Sequence, residues 1–228
     1  MDPFVLVDQV VAQGRLSASI AKKIRSKSKN LEDAVSRVER ASGIRYPPFY
    51  VEPSLPVATT SVEYGAVGAL YARVIPATLD GKLSIVVQFT APLILFGLKG
   101  TIEAVAGHEF THYVDLVRRF SSMRVSSDER AGTLFESEYA DEERLVNPVL
   151  VFGADKRLAS LIKKKFPTGL VDEKLNDKVA KGWLEKGLPT KRVAPEDNVA
   201  NVSVGLIART TFDPKVIAKL KELEERSR

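Results

Sequence analysis

The 228-residue chain contains no cysteine and only two histidines. Without cysteine it can form neither a disulfide bond nor a thiolate metal site. Any metal or acid–base chemistry that depends on imidazole must therefore use His108 and His112. The absence of cysteine is consistent with an intracellular protein, or with one from a hot habitat.

Long hydrophobic runs are also missing. The most apolar run, residues 89–98, is too short to cross a bilayer, and Lys99 and Glu103 interrupt its extension. The first residues, Met1 to Phe4, lack the basic segment of a secretory signal. We therefore expect a cytoplasmic protein that does not associate with membranes.

Acidic and basic side chains are unevenly distributed along the chain, whose formal net charge is +5. Residues 101–150 contain 10 acids and 5 bases, residues 1–100 contain 8 acids and 12 bases, and residues 151–228 contain 11 acids and 17 bases. The acidic middle segment suits a divalent cation. The basic terminal segments are able to attract nucleic acid or an acidic partner.

Both histidines belong to one segment, His108-Glu109-Phe110-Thr111-His112. Residues four apart lie on one face of an α-helix, so the two imidazoles would converge on one point. This arrangement matches two ligands of a tetrahedral Zn²⁺, and Glu109 is placed to take a proton from a water molecule that the metal activates. The alternative is a helix with two core histidines and no metal, which leaves a costly buried carboxylate unexplained.

The flanks of this motif contain no charge and no proline, which predicts a helix over residues 101–120 with Thr101 as its N-cap. The string V-A-G-H-E-F-T-H-Y-V resembles the extended motif of the zincin metallopeptidases. The resemblance implies that His108 and His112 bind Zn²⁺. It also implies that Glu109 is the general base and later passes the proton on.

The zincin resemblance further implies a third metal ligand downstream. A histidine is impossible, which excludes the metzincin pattern and the three-histidine pattern of Spartan-like DNA–protein crosslink proteases. A carboxylate is left. In a helix predicted over residues 128–146, Glu138 falls within an apolar stripe, where an unpaired carboxylate would be expensive. We predict Glu138 as the third ligand, with Glu136 and Asp141 as alternatives.

A glutamate ligand on the next helix is similar to the gluzincin, or thermolysin-like, arrangement. Glu138-x-x-x-Glu142 has the spacing of that group, with glutamate in place of its usual aspartate. The resemblance implies that Glu142 bonds a ligand histidine, with Asp115 as second candidate. The donor that stabilises the oxyanion would be a tyrosine, an arginine, a lysine or backbone, and Tyr113 and Tyr139 are near the motif.

The remaining periodicity predicts an α+β fold, with a zincin-like core made of a small mixed sheet and the H-E-x-x-H helix, and with helical N- and C-terminal segments. We expect one metallopeptidase domain over residues 1–228. Its parts would be N-terminal helices in residues 1–43, a zincin catalytic core in residues 44–150 and a helical C-terminal subdomain in residues 151–228.

Three local predictions bear on the site. A first helix should open at Asp2-Pro3 and run past Ile20. Residues 67–75 and 83–90 should form a hairpin around Asp80-Gly81. Since the last strand before the metal helix borders the cleft in the zincin core, a substrate strand could pair with the edge of residues 83–90.

We therefore predict a zinc-dependent metallopeptidase that acts on a protein or peptide substrate. One alternative is a nucleic-acid-associated protein whose basic terminal segments bind DNA or RNA, with the zinc site structural or secondary. Another is a catalytically silent scaffold with a structural zinc. Glu109 argues against that scaffold, because a closed structural site needs no general base.

The third ligand is testable by competitive chelator titration of three variants. Glu138→Ala should lower zinc affinity by orders of magnitude, because a ligand and a compensating charge vanish together. Glu142→Ala should cost about 10–100-fold, as an outer partner does. Glu136→Ala, roughly 160° around the helix from Glu138, should bind zinc normally. If Glu136→Ala is instead the defective variant, the ligand has to be reassigned by two residues.

Overall fold

The structure is a computed structural model that describes residues 2–59, 67–79, 82–121, 147–167, 169–193, 206 and 210–226. These residues form helices and two small sheets, which confirms the predicted α+β class. Within them, no helix combines the length and the hydrophobicity that a membrane crossing requires.

The N-terminal segment is helical, as predicted, but its first helix ends early. Its helices are α1 (Val5–Ala12), α2 (Ala18–Arg25) and α3 (Ser28–Ser42). The helix that we expected to pass Ile20 stops because Gly14 adopts a left-handed conformation with φ of 71°. Ser17 then caps α2 by accepting a hydrogen bond from the backbone N–H of Ile20. Gly43 ends α3 in the left-handed conformation.

Two three-stranded sheets follow. The first contains β1 (Phe49–Glu52), β4 (Ala72–Leu79) and β5 (Lys82–Thr90) in the order β1-β5-β4. β1 is parallel to β5 and β4 is antiparallel to it, so this sheet is mixed, as predicted. The second contains β2 (Leu55–Thr59), β3 (Val67–Ala69) and β6 (Thr190–Val193) in the order β3-β2-β6, and no sequence pattern predicted it.

The predicted pairing is confirmed for residues 72–79 and 82–89, but residues 67–69 of the predicted first strand pair with β2 in the second sheet instead. The predicted turn at Asp80-Gly81 lies outside the described residues.

The second strand of the hairpin does not offer the edge that we expected. Leu79 lies opposite Lys82, so β4 and β5 pair along their whole length. On the other side of β5, β1 pairs with residues Val87 to Thr90. β5 is therefore a central strand. Its nearly continuous buried run is the pattern of a strand covered on both faces.

Helix α4 (Ala91–Phe96) joins β5 to the long helix α5 (Lys99–Ser121), which carries the motif. α5 begins two residues before the predicted start, and Thr101 is not its N-cap. The Thr101 hydroxyl is instead buried and donates to Asp172 Oδ2 at 2.5 Å. Nearly every residue of α5 is buried, because α3, β4 and β5 and several C-terminal helices pack around it.

The described part of the C-terminal segment is mostly helical, as predicted. It contains α6 (Pro148–Val151), α7 (Lys156–Lys165), α8 (Glu173–Val179) with a π-helical turn (Ala180–Leu184) after it, and α9 (Pro214–Arg226). Asp155 caps α7 and Asp172 caps α8. Trp183 is fully buried and donates its indole N–H to the carbonyl of Pro189, so it is a core residue.

Helix α7 packs closely on α5 at Gly107, the residue that precedes His108. A Cβ atom added at Gly107 would lie 2.5 Å from Ile162 Cδ1 and 3.2 Å from Ile162 Cγ1. Ile162 is 1% exposed, so its side chain has little room to move away. Gly100, in the first turn of the same helix, has only one ordinary contact, at 3.9 Å from Leu161 Cδ2.

This packing predicts opposite effects for two Gly→Ala substitutions in α5. Gly107→Ala should lower the free energy of unfolding by about 1–2 kcal/mol, because overpacking outweighs the gain of about 1 kcal/mol in helix propensity. Gly100→Ala should leave it unchanged or raise it. Adding Ile162→Val removes Cδ1, so it should relieve most of the penalty of Gly107→Ala. Urea unfolding of the double-mutant cycle measures this coupling, and purely additive effects would contradict the packing argument.

Candidate metal centre

The two histidines of the motif meet on one face of α5. His108 Nε2 and His112 Nε2 are 3.0 Å apart. The rings are nearly perpendicular, with an interplanar angle of 88° and centroids 4.6 Å apart. Both side chains are half-buried. The helix thus turns the same nitrogen of each ring toward one point, as the spacing of four residues predicts.

The separation of these nitrogens fits a shared metal ion. Two imidazoles that bind one Zn²⁺ at 2.0–2.1 Å with a tetrahedral angle have nitrogens about 3.3 Å apart. The observed 3.0 Å is within a few tenths of an ångström of that value. The donor set therefore suits Zn²⁺, since neutral imidazole nitrogen is among its preferred ligands.

Both histidines are held in the neutral form that a metal requires. Burial, with a smaller contribution from His112, lowers the pKa of His108 to about 3. Burial also lowers the pKa of His112 to about 4. The negative charge of Asp115 raises this pKa and the positive charge of Arg119 lowers it. At neutral pH each ring thus keeps a lone pair.

Glu109 lies on α5 between the two histidines and is only 6% exposed. It is close enough to Tyr46 for its negative charge, after burial, to help raise the pKa of that phenol well above its usual value. The Tyr46 hydroxyl donates to the carbonyl of Ala106 at 2.9 Å, and its ring stacks on Phe110. Tyr46 therefore holds the backbone one turn before Phe110, on the side of the helix that faces the sheet.

One turn after His112, Asp115 binds two arginines. Its carboxylate accepts a hydrogen bond from Arg118 and another from Arg119 Nε at 2.7 Å. In the described residues, no hydrogen bond links Asp115 to His112, so its predicted role as an orienting acid is not supported by a contact. Arg119 instead brings a positive charge near His112. No sequence pattern connected Arg119 with His112.

A contact that the sequence did not predict lies on His108. The ring of Phe166, at the C-terminal end of α7, stacks on His108 with centroids 3.8 Å apart and an angle of 7° between the planes. Lys165, beside it, forms an ion pair with Asp172 at 2.6 Å. No spacing rule connects Phe166 to the motif, which lies more than 50 residues earlier in the chain.

The other predicted site residues are distributed as follows. The ring of Tyr113 packs against Phe110. Burial and the nearby charge of Asp213 raise the pKa of Tyr113 to about 12. Tyr113 therefore lies on a different face of α5 from the histidine pair. The predicted helix over residues 128–146 lies outside the described residues. The remaining carboxylate and tyrosine candidates are also outside the described residues; they are Glu136, Glu138, Tyr139, Asp141 and Glu142. Within the part of the chain that the structure describes, no third His, Asp or Glu joins the pair to complete a metal site.

Comparison with known proteins gives no relative: no protein-family model, no curated protein and no solved structure matches this chain.

The geometry of the pair predicts that the purified protein binds about one Zn²⁺ per chain. His108→Ala or His112→Ala should abolish this binding, since each removes one of two convergent donors. Elemental analysis after purification without chelators measures the stoichiometry, and circular dichroism of each variant checks that it remains folded. A wild-type protein that is metal-free and takes up no added zinc would refute the metal centre.

Proposed function

We propose that the protein is a zinc-dependent metallopeptidase that hydrolyses peptide bonds in protein or peptide substrates. One observation carries this proposal, the convergence of His108 Nε2 and His112 Nε2 on a helix whose buried Glu109 lies between them in the sequence. The pair supplies two zinc ligands, and a carboxylate from residues 128–146, with Glu138 as first candidate, supplies the third. A purely structural site would not need an acid between its ligands.

Bound Zn²⁺ would supply a water molecule of lowered pKa and a Lewis acid that polarises the scissile carbonyl. The role of Glu109 is to move one proton. Its carboxylate accepts the proton as the water oxygen bonds to the carbonyl carbon, and it returns the proton to the amine nitrogen as the C–N bond breaks. Arg119, whose charge acts on His112, joins Tyr139 as a candidate to stabilise the oxyanion, whereas Tyr113 lies on another face of α5.

The substrate backbone belongs beside β4 rather than β5. Among the described strands β4 is at the edge of its sheet, and α5 packs against it. An extended peptide could pair with the edge strand β4 by strand addition. It would then lie next to a strand that packs against α5. We therefore transfer the predicted role of residues 83–90 in substrate binding to the neighbouring strand.

Nucleic-acid binding is the second candidate, and the exposed charges of the C-terminal segment favour it. Between residues 156 and 193 the exposed side chains include ten lysines or arginines but only three acids. Two of these bases, Lys163 and Lys164, lie in the last turn of α7, next to the Phe166 that contacts His108. A steep dependence of DNA or RNA affinity on salt concentration would support this function.

Glu109→Gln tests the peptidase mechanism most directly. The substitution is nearly isosteric and leaves both histidines in place, so zinc should remain bound while the cleavage of unfolded casein falls by at least about 100-fold, the low end for loss of a general base. Zinc content and casein cleavage are measured on the same preparation.

The matched control is Glu103→Gln, which changes another buried glutamate of α5 that forms an ion pair with Arg37, away from the histidines. This variant should keep its activity once it is shown to be folded. Casein cleavage by Glu109→Gln at the wild-type rate would mean that Glu109 is not the base.

A further inference from the structure

The ring of His108 is restrained on two sides. Phe166 covers one face in a parallel stack with centroids 3.8 Å apart, and the ring of His112 stands perpendicular to it. A flat stack at this distance leaves the imidazole little freedom to rotate about its χ angles, because rotation would drive it into the Phe166 ring. The contact therefore sets the plane in which His108 presents Nε2.

Phe166 itself is held in place by a polar clamp that returns to α5. The Lys165 ammonium and the Thr101 hydroxyl both donate to Asp172 Oδ2, at 2.6 and 2.5 Å. Burial raises the pKa of Asp172, but these hydrogen bonds outweigh it and leave the pKa below its usual value, so the carboxylate stays charged. The backbone N–H of Val171 also donates to the carbonyl of Lys165. The end of α7 is thus tied to the first turn of α5.

The middle of α7 is also tied to α5. Ile162 sits directly over Gly107, where no side chain separates the two helices. This contact lies one residue before His108 along α5 and four residues before Phe166 along α7. Between this contact and the clamp at Asp172, the end of α7 is fixed against α5, and there the Phe166 ring stacks on His108.

A ligand histidine is usually oriented by a hydrogen bond from its second ring nitrogen to a carboxylate, a carbonyl or water. In the described residues, the His108 ring forms its hydrogen bond through Nε2, with His112 Nε2. Among the described residues, the stack on Phe166 is the contact that covers the face of this ring. Here the Phe166 ring restrains the orientation of the imidazole by packing, whereas in many metal sites a hydrogen-bond acceptor does so.

We propose that Phe166 is a positioning residue for His108, which orients the imidazole for metal binding by stacking on its face. This inference rests on the metal site of the proposed function, but it does not require peptidase activity. It predicts that the planar ring at position 166 matters, and that an apolar side chain of another shape does not replace it.

The test compares Phe166→Leu, Phe166→Tyr and the control Phe212→Leu in the full chain. Phe212 stacks on Phe120 with ring centroids 6.3 Å apart, so the control also removes a stacked ring that packs on α5. Phe166→Leu should lower zinc affinity by about tenfold, the low end for loss of an orienting partner. Phe166→Tyr should retain it. Phe212→Leu should bind zinc as wild type, although thermal unfolding shows a similar loss of stability.

A second readout needs no metal. In the metal-free protein, the imidazole protons of His108 lie over the Phe166 ring, and its ring current should shift their nuclear magnetic resonances upfield. The chain has only two histidines, so His112→Gln assigns the signals. Phe166→Leu should move the His108 resonances downfield by several tenths of a part per million, and Phe212→Leu should not.

The outcomes separate this inference from the proposed function. Wild-type affinity in Phe166→Leu, or an equal loss in Phe166→Leu and Phe212→Leu, overturns the positioning role whether or not the protein cleaves peptides. Tight zinc binding that weakens only in Phe166→Leu, in a protein that does not cleave casein, supports the positioning role and refutes the peptidase. A wild-type protein that binds no zinc overturns both.

Discussion

The burial of α5 is the constraint on which the rest of the structure depends. A 23-residue helix that is covered on most of its circumference needs apolar neighbours at almost every turn, and α3, the first sheet and the C-terminal helices supply them. Because these neighbours come from both sides of the motif in sequence, α5 becomes buried only when segments from both sides have packed around it. Gly107 and Ile162 show how close this packing is, since one added methyl group already conflicts with it.

Burial also governs the charges that α5 carries. Glu103 forms an ion pair with Arg37, which also binds Asp155 at the start of α7, and Asp115 is neutralised by Arg118 and Arg119. A buried carboxylate without a cation or hydrogen-bond donors would be strongly destabilising, so these pairs are a requirement of the helix's position. The same burial lowers the pKa values of the histidines, which keeps their nitrogens available as ligands. Structural and chemical demands on α5 thus have one origin.

Local patterns predicted those features that depend on a few neighbouring residues. The convergence of the histidines follows from the geometry of a single helix turn, and the β4–β5 hairpin from two adjacent strands. The errors occurred where a distant segment intervened. Thr101 is not a cap because Asp172, 71 residues later, binds its hydroxyl, and β5 is not an edge because β1 pairs with it in parallel. The second sheet escaped prediction because β6 is more than 100 residues from its partner β2.

The sequence by itself determined the chemistry that is possible. Two histidines four residues apart, with a glutamate between them and no cysteine anywhere, limit any imidazole-based metal site in this chain to one place. The tertiary structure alone decided how that place is built. It covered His108 with Phe166, brought Arg119 near His112 and left β4 rather than β5 at the edge of the described sheet. The physical reason is that helical periodicity acts within one turn, whereas ring stacking, ion pairing and strand order depend on which distant segments pack together.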